Sequence, residues 1–233
     1  MRCPQNGGRW ARTCPYARRV QLPPDTRDPL ITAFPLRFAG DAEAVLAVVP
    51  ASRLHPHGSF PVTVEGEQVF IPGRRYNDEP PAHVVASLSA RRRQLLHCLY
   101  SRHSDGRVRQ RHLAEVVGST DPWVIPSVMQ PVGEYVLEIL VVICDALRDL
   151  AARGARGHLA HGQFTVDNPA FFARTQRQVV SYGSCYYRAL HASFRGYPGC
   201  TVLDLLRSAA SDRAGRPWPN LAPAANTRVD GLC

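Results

Sequence analysis

The chain contains no lysine: all 28 of its basic residues are arginine. Such an exclusive choice fits a genome biased toward GC-rich codons, so basicity by itself is a weak functional argument. Several other things are missing. The N-terminus has no apolar stretch of the kind a secretory signal needs. The longest apolar run, "YVLEILVVICDAL", is interrupted by Glu138 and Asp145 and falls short of the roughly 18 uninterrupted residues of a membrane span. The motifs GxSxG, GxGxxG and HExxH and a Walker-type phosphate loop are absent, which removes the familiar hydrolases, dinucleotide enzymes, zinc proteases and P-loop enzymes. The seven cysteines are odd in number and scattered, so a disulfide framework is not expected and a reducing cytoplasm is. No cofactor and no membrane partner are expected.

What is present suits one large domain or one domain with a small appendage. With 233 residues, 45% of them hydrophobic, the chain can bury a substantial core without staples. Its net charge of +9 is unevenly spread. Residues 1–29 carry six arginines against two aspartates, and 87–118 carry seven against two acids. Residues 119–168 reverse the sign, with three arginines and six acids. A basic segment followed by an acidic one suits internal pairing as well as an external polyanion.

Punctuation and periodicity outline four parts. Residues 1–29, rich in Arg, Pro and Gly, read as a disordered arm. Residues 30–82 read as a small β-containing unit. "LITAFPLRF" is strand-like despite Pro35, "DAEAVLAVV" is ambiguous, and "FPVTVEGEQVFIP" alternates about Glu65-Gly66 as a β-hairpin. Residues 83–212 read as a helical domain. A helix over "SLSARRRQLLHCLYSRH", capped by its opening serine, is broken at Asp105-Gly106, and a second ends at Gly118. A long helix runs from Asp121-Pro122 to about 152, kinked at Pro126 and Pro131, and a polar loop follows. Another helix starts at Asn168-Pro169, and a short one lies near 201–211. Residues 213–233 read as a disordered tail. The fold class is therefore mainly α: a bundle or short stack of about five helices with an N-terminal β-hairpin unit and disordered termini.

Within that frame, "SDGRVRQRHLAEVV" and "PWVIPSVMQPVGEYVLEIL", residues 104–140, resemble one HEAT-type helical hairpin. No second copy follows at the period of such repeats. The resemblance implies local helix pairing and a scaffold role.

Candidate sites come from four patterns. First, "SRHSDGRVRQRHLAEVV" places Arg102, Arg107, Arg109 and Arg111 with two histidines around one turn, a candidate anion- or partner-binding set. Arg107 and Arg111 share a helix face while Arg109 projects elsewhere. Arg107 sits in a first turn, where the dipole disfavours a cation. An acidic neighbour among Glu134, Glu138, Asp145 and Asp149 is the favoured explanation. Second, Glu134 and Glu138 are four apart and form a candidate carboxylate pair, although Ser127, Gln130, Asp145 and Asp149 extend them into an ordinary polar stripe.

Third, the tightest sets among the nine histidines are His55/His57, His158/His161 and His97-Cys98 with His103, none at zinc spacing. Fourth, Phe171, Phe172, Tyr182, Tyr186 and Tyr187 interleave with Arg174, Arg177 and Arg188, as on nucleic-acid surfaces. Positions 172, 175, 179, 182, 186 and 190 equally make a core stripe, with Cys185 as an inert neighbour, and that reading is preferred. The expected function is a cytoplasmic protein–protein interaction or scaffold module. A nucleic-acid-binding protein using 91–111 is the alternative, and an enzyme with a carboxylate site near Glu134 and Glu138 the second.

Overall fold

A computed structural model describes residues 30–221, apart from 53, 55–57, 150, 151, 153, 192 and the side chain of 149. The arm 1–29 and residues 222–233 of the expected tail lie outside the described residues.

The segment read as a strand at 30–38 instead forms two short 3-10 turns, Ile31–Ala33 and Leu36–Phe38, parted at Pro35. Packing explains the difference. Phe34 and Phe38 both touch Trp123, at ring-centroid distances of 6.0 and 5.0 Å. A strand would separate them by about 13 Å, too far to share one indole. The ambiguous segment that follows is helix α1 (Ala39–Leu46), which buries Ala42 and Val45.

The hairpin forms as its turn residues require. β1 (Ser59–Val64) pairs antiparallel with β2 (Glu67–Pro72), Val62 opposite Val69. Glu65 and Gly66 both take positive φ, 51° and 83°, the mirror-image turn that matches strand twist. Val62, Val64, Val69 and Ile71 face inward and belong to the same buried cluster as Leu95, Leu99, Ile125 and Leu203. The hairpin is therefore a wall of the helical core. Asn168 fixes its edge, accepting from the Thr63 amide at 2.7 Å and donating to the Thr63 carbonyl at 2.9 Å.

Short α2 (Ala82–Ser87) leads to α3 (Ala90–Tyr100), and α4 is Gly106–Ala114. Ser89 caps α3 through the Arg92 amide, and Asp105 caps α4 through the Arg107 amide at 2.7 Å. The long kinked helix expected over 121–152 is in fact three pieces. These are α5 (Ile125–Met129), a 3-10 turn (Gln130–Gly133) and α6 (Leu137–Asp149), with Glu134 in extended backbone between the last two. Pro126 and Pro131 each lie in the opening residues of a new piece, where a missing N–H is tolerated, rather than bending an old one.

The stretch read as a polar loop contains α7 (Arg156–Asp167). Its inner face has one large apolar residue, Phe164, beside Gly157, His158, His161 and Gly162, so it carries little hydrophobic period. The glycines allow close approach: a Cβ on Gly162 would collide with the Ala209 carbonyl group, its carbon only 2.8 Å away. α8 (Pro169–Tyr186) and α9 (Pro198–Ala214) complete the body. α9 is longer than expected and ends at Gly215 with φ 65°. Residues 216–221 then return to the body, with the Trp218 amide on Ser211 Oγ and the Leu221 amide on Gln176 Oε1. Among the described residues no helix is long and apolar enough to cross a membrane.

Candidate functional site

The four arginines of 101–117 have three different fates. Arg102 and Arg109, only 2% and 3% exposed, turn inward onto Glu134. Arg102 Nη1 lies 2.5 Å and Arg74 Nη1 2.7 Å from Glu134 Oε1, while Arg109 Nε lies 3.3 Å from Oε2. Other donors meet the backbone, while Arg109 Nε and Glu134 Oε2 make no hydrogen bond among the described residues. Arg102 donates to the carbonyls of Pro72 and Gly73, and Arg109 to those of His103 and Ser104. Burial alone would raise the Glu134 pKa, but the Arg102 charge and the Arg74 hydrogen bond outweigh it, and the net shift is downward. Burial pulls Arg102 down to about 10, with Glu134 opposing. This is an ion cluster that joins the α3–α4 corner to the end of β2 and to the start of α6.

Glu134 and Glu138 do not form a carboxylate pair on one helix face. Glu134 precedes α6 in extended backbone and is buried, whereas Glu138 is exposed on α6. The partners expected for Arg107 and Arg111 also differ. Arg111 pairs with Glu79, outside the acidic segment, and exposed Arg107 has no ion pair among the described residues. Asp145 pairs with Arg148. The side chain of Asp149 lies outside the described residues. Upstream, Arg91 and Arg92 meet Asp41, and Arg93 donates to the carbonyls of Ala86 and Leu88.

The other side of the corner opens into a cleft of about 470 Å³ bounded by Glu79, His97, Arg111, His112 and Glu115. His97 Nδ1 and His112 Nδ1 are 2.9 Å apart, and His112 Nε2 lies 2.8 Å from Glu79 Oε1. The His112 ring stacks on Tyr100 at 4.9 Å, and the Tyr100 hydroxyl donates to the Asp78 carbonyl. Burial chiefly lowers both histidine pKa values, with Glu79 opposing at His112. Glu79 is itself held below the ordinary carboxylate range: burial would raise it, but hydrogen bonds from His112 and Arg111 prevail.

Short-range spacing does not group His97 with His112. Their symmetry does: they are equidistant from the Ser104–Asp105 turn, and paired helices bring such positions face to face. Glu79 carries no comparable signal. Elsewhere His158 pairs with Asp212 and buried His161 meets the Gly157 carbonyl. Among the described residues no cluster of three His, Cys, Asp or Glu side chains is arranged to hold a metal. His55 and His57 lie outside the described residues.

The α8 stripe behaves as core for only half its length. Phe172, Thr175 and Val179 are buried, but Tyr186 and Leu190 are 64% and 69% exposed. Tyr182 and Tyr186 form an aromatic triangle with exposed Tyr135, with ring centroids 5.9–6.1 Å apart. Cys185, expected to be buried, is exposed beside them, whereas Cys98, Cys144 and Cys200 are buried. Arg174 lies over Phe60 and Phe171 inside the fold's own contacts. Comparison with protein-family models, with curated proteins and with solved structures finds no match for this chain.

Proposed function

We propose that this chain is a cytoplasmic helical interaction module that engages a protein partner through the Tyr135–Tyr182–Tyr186 face. One observation carries the reading: an apolar stripe continuous with the core runs out of cover and ends in three mutually touching tyrosines. Tyrosine clusters supply large, rigid, amphipathic contact area and are common at the centres of interfaces. The patch is also pre-organised. The Tyr187 hydroxyl donates to the Tyr135 carbonyl, and its ring stacks on buried Tyr197 at 5.4 Å, so little ordering remains to oppose association. The scaffold role implied by the resemblance of the sequence 104–140 to a HEAT-type hairpin belongs to the same reading.

Nucleic acid is the less supported partner. Of the seven arginines in 91–111, six (91, 92, 93, 102, 109 and 111) already meet carboxylates or carbonyls of the fold, leaving Arg107. The test compares wild type with Tyr135→Ser/Tyr186→Ser in crosslinked capture from lysate, with and without nuclease. A nuclease-resistant partner lost in the variant, at unchanged melting temperature, is expected. Identical capture by both proteins, or capture abolished by nuclease, refutes the reading.

A further inference from the structure

We infer that the cleft beside α3 and α4 binds a small organic cation, a primary ammonium group on an apolar body, with His97 Nε2 and Glu115 as its acceptors. The argument begins at Glu79. Its carboxylate, held by Arg111 and His112, is ionised at neutral pH and can only accept, so His112 Nε2 must carry the hydrogen of their 2.8 Å contact. A neutral His112 then has a lone pair on Nδ1. The 2.9 Å contact between the two Nδ1 atoms therefore requires the hydrogen to sit on His97. That leaves His97 Nε2 as a bare acceptor, and the described residues give it no hydrogen-bond partner. A carboxylate and one histidine thus fix the tautomer of the next, and the chain of three ends in the cleft wall.

The remaining walls select the ligand. Glu115, at the end of α4, is exposed, bounds the cleft and has no ion pair among the described residues, and its charge reaches the His97 ring. Pro80, Ala82 and Val85 supply an apolar surface, and about 470 Å³ suits a small molecule. Within the cleft two carboxylates face one guanidinium, and that guanidinium is bound to Glu79. An anion would meet Glu115 and a nitrogen lone pair, both repulsive. A neutral donor could satisfy His97 but would gain nothing from Glu115. An ammonium has hydrogens for both acceptors.

Binding should compete with protons for the same nitrogen. The titratable and charged groups around His97 are Arg93 on its own helix, Arg111 and neutral His112 on α4, Glu115 just after it, and Glu79 before α2. Burial, then His112, lowers the His97 pKa, so the acceptor is available at neutral pH. Protonation at Nε2 leaves the bond to His112 intact and removes only the acceptor. Affinity should then fall about tenfold per pH unit below the His97 pKa.

The probe is benzylamine, an ammonium at pH 7.5, titrated into the full chain while the imidazole nitrogens of His97 and His112 are followed by NMR. Benzyl alcohol and benzoate serve as neutral and anionic isosteres. Saturable benzylamine binding that shifts His97 Nε2, with much weaker benzyl alcohol binding and no benzoate binding, is expected. Glu115→Gln, a change at an exposed position, should weaken benzylamine about fivefold without altering the fold. Benzoate binding as tight as benzylamine, no saturable binding by benzylamine, or a protonated His97 Nε2 at neutral pH would each overturn the proposal. So would a Glu115→Gln protein that binds as wild type does.

Discussion

Replacing Glu134 by glutamine tests whether the three-arginine cluster organises the α3–α4 corner. The substitution keeps volume and one acceptor oxygen but removes the charge that Arg102 and Arg109 face from buried positions. Deleting one member of a buried ion pair costs about 3–5 kcal/mol, because the remaining charge is left uncompensated. At about 2–4 °C per kcal/mol for a body of this size, the melting temperature should drop by about 6–20 °C. Arg74→Gln is the control. Arg74 is a quarter exposed, and its loss leaves Glu134 with two arginines, so about 1 kcal/mol or less is expected.

The pH dependence follows from the depressed folded-state pKa of Glu134. Its contribution is fully present above the unfolded value of about 4.3 and is lost as pH falls through the folded value. Urea unfolding from pH 6 to 3 should therefore show a shallower acid decline in Glu134→Gln than in wild type. A loss under about 3 °C in Glu134→Gln, or a larger effect from Arg74→Gln, would refute the reasoning.

Three further outcomes are expected. His97, His112 and His161 all have lowered pKa values, burial being the first cause for each, so stability should fall as pH drops from 7 through the ordinary histidine value toward 5. His161→Phe should flatten part of that decline, measured by thermal melts across pH. Gly162→Ala should destabilise by about 1–3 kcal/mol through backbone collision with α9, whereas Gly40→Ala, whose Cβ meets nothing within 4 Å, should stabilise slightly. Native thiol labelling should modify Cys185 quickly and Cys98, Cys144 and Cys200 slowly, burial having pushed the Cys98 thiol up to about 12.

The sequence by itself determined the helix-rich class, the hairpin about Glu65-Gly66, a serine cap ahead of α3, the break at Asp105-Gly106 and the helix start at Asn168-Pro169. Each is a local device, a turn dihedral, a capping side chain or a proline that sets the backbone within a few residues, so the cause and the signal share one window. α7 escaped because glycines and histidines make its buried face, and their fit depends on α9 arriving at van der Waals distance. Segment 121–149 departs from its helical spacing because Pro131 opens a turn that ends in extended backbone at Glu134. The candidate sites belong to the tertiary structure. Arg102, Arg107, Arg109 and Arg111 are chemically identical, yet two are buried on Glu134, one meets Glu79 and one is exposed. Helical rotation separates Arg109 from its neighbours, but only the arrival of residues 72–79 and 134 decides which direction is inside. Charge and burial act through space, and the carboxylates that settle the fates of Arg102, Arg109 and Arg111 lie 25 to 32 residues away along the chain.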